Sequence, residues 1–217
     1  MAGVNRYQAE WFLIALDLNK AAYAQDLLSK KLKLESEAEE YSVVGGFDAS
    51  YYNDIAAGCY FATICCSDKR ISFEFSVVKG IPPYIPGFFY LRESKVFFKT
   101  VKEKPDLIFV NAHGIIHPRG FGFASHVGTV LNIPSVGVAN KLLKGFIEKD
   151  DKVFFKERHV GWRVNLKGKK FYVSPGNYIS IDDSLKVFIK NASENGLPWP
   201  LYYADRCSRE LLTKTRK

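Results

Sequence analysis

The chain has 217 residues, 47% of them hydrophobic, which suits one compact domain over residues 1–217 and leaves little room for two. A formal net charge of +8 favours an anionic partner, nucleic acid first and a membrane surface second. The apolar run at residues 11–16 is far too short to span a bilayer, charges flank it, and no signal pattern is visible, so a soluble, cytoplasmic protein with no membrane partner is expected.

Residues 7–34 read as a helix, because Phe12, Leu13, Leu16, Ala21, Leu27, Leu28 and Leu32 recur at helical spacing without Pro or Gly. An acidic connector follows at 35–40. Residues 42–52 read as a strand with Asp48 inside it, and strands at 59–66 and 71–78 are joined by a link of hairpin length. The first three strands are therefore expected as an antiparallel meander. Residues 80–87 hold three prolines and two glycines, a stiff irregular loop that presents Tyr84. A helix over 88–102 carries Glu93. Then come a buried strand at 107–110, a loop with Asn111, His113 and His117, a helix at 121–131 and a strand at 133–139. A late hairpin over 160–166 and 170–174, a helix at 182–191 with Ile181 at its entry and Asp182 or Asp183 as its cap or first turn, and a helical tail at 202–214 complete the pattern. Antiparallel strands followed by strands alternating with helices make an α/β fold. They fit a ribonuclease H-like mixed sheet, three antiparallel strands then parallel ones, with helices on both faces.

The four cysteines, Cys59, Cys65, Cys66 and Cys207, form no CxxC pair, so zinc and disulfides are both disfavoured and free buried thiols are expected. Asp48 sits in an otherwise apolar strand, where an isolated carboxylate needs a cation or a cluster of donors. His113 and His117 are four apart, but Gly114 and Pro118 put them on a loop rather than on one helical face, which argues against a zinc pair. His126 reads as a packing histidine. A ring held rigidly between Pro83 and Ile85 can wedge into a base stack. Arg119, Lys141, Lys144, Lys167, Lys169 and Lys170 follow strand ends, where phosphate contacts need only positive charge.

Six stretches in order carry a family likeness: VGGFDASY (44–51), PPYIPGFFYLRE (82–93), PDLIFVNAHGIIHPRGFGFASHVG (105–128), IPSVGVANKLLKG (133–145), YVSPGNYIS (172–180) and LPWPLYYADRCSRE (197–210). The chain resembles endonuclease V, the deoxyinosine 3′-endonuclease. The resemblance implies a ribonuclease H-like fold and Mg²⁺, with Mn²⁺ as a substitute, held at Asp48, Asn111 and Glu93. It implies cleavage of the second phosphodiester 3′ to deoxyinosine in DNA, in some members to inosine in RNA, by a protein that is usually monomeric. It assigns catalysis to Asp48, Glu93, Asn111, His117, Lys141 and Asn177. It assigns nucleic-acid contacts to Pro83, Tyr84, Ile85, Pro86, Gly87, Gly114, Arg119 and Asn140, with Tyr84 filling the gap left by the flipped base. The chain departs from the family at three of these positions: Asn111 replaces an aspartate, Asn140 a lysine (with Lys141 next to it) and Asn177 a histidine. An asparagine offers a metal only a neutral oxygen. A cutting enzyme and a degenerate homologue that binds without cutting are both compatible with the sequence.

Overall fold

The computed structural model describes residues 17–36 and 40–216. The strands are β1 Val43–Tyr52, β2 Ile55–Ile64, β3 Arg70–Val78, β4 Leu107–Val110, β5 Ser135–Ala139, β6 Ile147–Lys149, β7 Lys152–Phe155, β8 Arg158–Leu166 and β9 Lys169–Asn177. They form one sheet in the order β3-β2-β1-β4-β5-β9-β8-β7-β6. The expected meander is present: β1–β2 and β2–β3 are antiparallel, whereas β1–β4 and β4–β5 are parallel. The helices among the described residues are α1 Leu18–Ser29, α2 Phe89–Thr100, α3 Phe123–Leu131, α4 Ile181–Lys190 and α5 Trp199–Thr215. None of them is long and apolar enough to cross a membrane.

Alternation along the strands divides the core into two layers. Phe47, Ile108 and Val110 pack with Val96 and Phe97 of α2 and with Phe123 and Val127 of α3. Val44, Leu107 and Phe109 pack on the opposite face with Phe188 of α4 and Leu201 of α5. The close seating of α5 depends on Gly46, where a Cβ would lie 2.3 Å from the Pro200–Leu201 backbone.

Several boundaries differ from the sequence reading. Of the helix expected at 7–34, residues 7–16 lie outside the described residues, and the remainder stops at Ser29. The chain then extends so that the Lys33 amide reaches the Asn177 side chain. The Ala56-Ala57-Gly58 stretch belongs to β2, although its residues are weak strand formers. The β6–β7 hairpin turns at Asp150 and Asp151, both at positive φ, without the glycine that normally marks such a turn. α4 is capped by Ser180, whose hydroxyl accepts the Asp183 amide, and Asp182 and Asp183 occupy its first turn, one of the two places expected for them. α5 starts at Trp199, three residues before the helical tail expected from 202, because Pro198 and Pro200 stand at its N-terminal edge, where no amide donor is needed.

The thiol expectation is also corrected. Cys59 of β2 and Cys207 of α5 form a disulfide across 148 positions, and only Cys65 and Cys66 of the four are free. Sequence spacing gave no sign of the pair, because only the docking of α5 on β2 brings the two together.

Candidate active site

β1 and β4 run parallel, so Asp48 and Asn111 reach the same end of the sheet, with the Asn111 amide NH₂ donating to Asp48 Oδ1 at 2.7 Å. Asp48 is only 7% exposed. Its second oxygen accepts the Ser208 hydroxyl of α5 at 2.8 Å, and Ser208 lies 2.9 Å from the Ser50 hydroxyl. Burial pushes the Asp48 carboxyl up to about 6, further raised by Asp205 and opposed by the Ser208 and Asn111 donors. Ser208 and Asp205 are the site residues that sequence reasoning missed; the signal was available in the ADRCSRE stretch, where Asp205 and Ser208 sit three apart and so share a face of α5.

Glu93 approaches from α2, on the opposite face of β1. It is 3% exposed, and its carboxyl is pushed up to about 8 by burial and by the nearby Asp48 charge. Tyr51 and Arg92 steady it electrostatically, and the Arg92 guanidinium lies 4.0 Å from the centre of the Tyr51 ring. The Tyr51 hydroxyl lies beside the Glu93 carboxyl, and Arg92 Nε is buried without a hydrogen-bond partner. A buried donor left without an acceptor is costly.

Asp48, Glu93 and Asn111 supply hard oxygen donors. Among the described residues no three His, Cys, Asp or Glu side chains form a closed cage. The set therefore suits a cation such as Mg²⁺, which is content with one or two carboxylates and keeps several waters. Asn111 would have to turn its amide oxygen toward the ion in place of the N–H it gives to Asp48.

The remaining predicted residues fall into three groups. The first flanks the sheet end. The exposed Tyr84 ring rests edge-on against Phe89, which rests against Phe123. Pro83 and Pro86 are exposed and Ile85 half-buried. Gly87 has φ +79° and its carbonyl accepts His117 Nε2 at 3.2 Å as well as the Arg119 guanidinium. Gly114 is buried, with its amide donating to Ser174. Asn140 and Lys141 follow β5 at the same sheet end, exposed, and the Lys141 carbonyl accepts His113 Nε2.

The second group is built in. His117 is 6% exposed, and its Nδ1 accepts the Arg119 amide while Nε2 donates to Gly87. Burial and the Arg119 charge hold its pKa down at about 4, so it is neutral at pH 7. Arg119 also bonds to Gln25 of α1 at 2.7 Å and lies over the Phe88 ring. It is a clamp joining three segments. His126 packs against Tyr90 and Phe123, as expected of a core histidine.

The third group is Asn177 alone. It pairs with Ser135 at the start of β5, the end of the sheet opposite Asn111. Its side chain accepts the Lys33 amide and donates to Thr129, tying α1 to α3. The structure does not bring it to the acids.

Ser208→Ala removes a donor from a buried carboxylate. We expect a loss of about 1–3 kcal/mol in denaturant unfolding and an acid limb of activity displaced to higher pH. Ser208→Thr keeps the hydroxyl and should restore both; a Thr variant as impaired as Ala would show that the hydroxyl is not what holds Asp48.

Fold and site define a ribonuclease H-like domain with buried acids at its central sheet end. The Endonuclease V family profile matches residues 26–206. An Endonuclease V of Dictyoglomus turgidum is 33% identical over 200 residues, covering 87% of this chain and 88% of its own. One from Thermococcus kodakarensis is 37% identical over 177 residues, covering 80% and 81%. The chain belongs to the endonuclease V family. Its fold is similar to Bacillus subtilis endonuclease V, with TM-score 0.83, 20% identity and coverage of 93% and 94%. It is also similar to the Ciona intestinalis enzyme, with TM-score 0.80, 23% identity and coverage of 91% and 98%; that enzyme was crystallised with DNA containing an inosine followed by a ribo-adenosine.

Proposed function

We propose that the protein is an endonuclease using Mg²⁺ or Mn²⁺ that cuts the second phosphodiester 3′ to deoxyinosine in DNA, or to inosine in RNA, and leaves the base in place. The observation that carries this reading is the pair of buried acids, Asp48 and Glu93, with Asn111 in contact with Asp48 at the end of the central strands. A divalent cation bound there supplies charge neutralisation at the phosphate and activates a water. Asp48, oriented by Asn111 and Ser208, and Glu93 would hold the ion, with the amide oxygen of Asn111 as a further neutral donor. Lys141 and Asn140, exposed at the end of β5, face the phosphate backbone. Tyr84 fills the space of the extruded base, while the backbone near Gly87 and Gly114 lines the pocket that receives it. His117 serves as the clamp on the Gly87 carbonyl rather than as a proton carrier, since both of its nitrogens are engaged. The protein acts as a monomer in the cytoplasm. The Cys59–Cys207 bond is reducible, and in a reducing cytosol it would open to two adjacent thiols.

A second reading, a homologue that recognises hypoxanthine-containing nucleic acid without cutting it, is favoured by one observation: the Asn111 amide already satisfies Asp48 with a proton rather than leaving it for an ion. Cleavage of a strand with one deoxyinosine, set beside the same strand with deoxyadenosine, separates the readings. Mg²⁺- or Mn²⁺-dependent nicking of the first strand alone supports the enzyme. Selective, salt-sensitive binding with no nicking under either metal supports the binder.

A further inference from the structure

A concavity among the described residues lies apart from Asp48, Glu93 and Asn111. It has a volume of about 780 Å³ and lies on the far side of the His117–Gly120 loop, between the end of α1 and the β7–β8 hairpin. Its apolar lining includes Leu32, Leu34, Ile115 and Val160. Its rim carries two exposed cations: Lys156 on the two-residue β7–β8 turn, where Lys156 and Glu157 have φ of 47° and 65°, and Arg158, the first residue of β8. Neither forms an ion pair among the described residues, and the exposed Glu157 stands between them. The turn geometry matches the twist of its strands. Asp26 is the single acid among the lining residues. Lys30 and Lys31, both exposed, follow Ser29 at the mouth.

We propose that this groove seats the part of the nucleic-acid strand flanking the recognised nucleotide, with sugar and base edges on the apolar floor and phosphates at Lys156 and Arg158. The inference rests on the function proposed above. Three facts on the molecule support it. A cavity of this size suits a nucleotide. Apolar floor and cationic rim together match a strand whose bases are apolar on their faces and whose backbone is anionic. The wall the groove shares with the site is the loop whose His117 and Arg119 grip Gly87, so a strand threaded through Gly87 and Gly114 passes into the groove one loop further on. Neither cation takes part in the core, so both can be removed without loss of the fold.

Fluorescence anisotropy on a labelled DNA strand with one deoxyinosine, repeated over a range of salt, tests the groove. The Lys156→Ala, Arg158→Ala double variant should bind about 10-fold more weakly. Its plot of log affinity against log salt should be shallower by about 1.4, two single-strand phosphate contacts at about 0.7 each. Equal affinity and equal salt slope in variant and wild type overturn the groove while leaving the functional reading intact. Wild-type binding without cutting overturns the catalytic reading alone, because the variant's weaker binding is still measured. A wild type that binds no strand overturns both.

Discussion

Asp48→Asn is expected to lower the rate of cutting at a deoxyinosine by about 10²–10³-fold, the scale on which loss of a group that organises transition-state charge acts, while affinity for the strand changes little. The isostere fits the same space between Asn111 and Ser208. What disappears is charge. Of the two buried acids, Asp48 is the one ionised at pH 7, because its carboxyl stands at about 6 whereas that of Glu93 stands at about 8. The pair thus carries close to one negative charge at neutral pH before an ion arrives, and the substitution removes it. Single-turnover cleavage beside anisotropy measures both quantities. A variant that cuts within 3-fold of wild type would move the chemistry away from Asp48. Asn111→Asp is the companion: it adds a second carboxyl in contact with Asp48, so the ion-free protein should be less stable and the affinity for Mg²⁺ higher, read by thermal shift and by calorimetry.

Glu93→Gln should stabilise the ion-free protein at alkaline pH and leave it unchanged in acid. The folded carboxyl stands at about 8, above its ordinary value of 4.5, so the folded state holds the proton more tightly than the unfolded chain does. The stability this provides is fully present below about pH 4 and is lost as pH rises through 8. The loss has an upper bound of about 5 kcal/mol. Asp48 adds a smaller loss of the same sign between about pH 4 and 6. Melting temperature should therefore fall with pH in the wild type and stay flatter in Glu93→Gln. Added Mg²⁺ should raise the wild-type melting temperature at pH 8, where both carboxyls can ionise around the ion, and have a smaller effect on the variant. Parallel pH profiles for the two proteins would show that Glu93 is not held in a protonated, desolvated state.

The central sheet was legible because its signals are local. Apolar runs such as Leu107–Val110 and the hairpin-length links fix strands without knowledge of the rest of the chain. Asp48 was legible for the same reason, as an acid in an apolar strand. The contribution of α5 was not, because Ser208 meets Asp48 across 160 positions and Cys207 meets Cys59 across 148. Spacing within a helix can show that Asp205 and Ser208 share a face, but not which strand lies beneath them. Asn177 failed in the other direction. A motif position carried over by resemblance implied a place beside the acids, whereas the register of β9 on β5 sets it at the other end of the sheet. His117 and Arg119 were found as site residues, but their engagement with Gly87 and Gln25 follows from how three separate segments meet.

The bond between Cys59 and Cys207 also changes what the chain can do when it is not folded. It closes a ring that runs from the middle of β2 through β9 to the middle of α5, so the oxidised, denatured polypeptide is a large loop with two tails rather than a free line. In the chain-entropy account a ring of this size raises the free energy of the unfolded state by about 5 kcal/mol. The same closure tethers α5 to β2 directly across from Asp48, the register partner of Cys59 on β1. A partial opening that peels the last helix from the sheet would have to break a covalent bond, so the oxygen donors of Asp48 and Ser208 stay in each other's company for as long as that bond is intact.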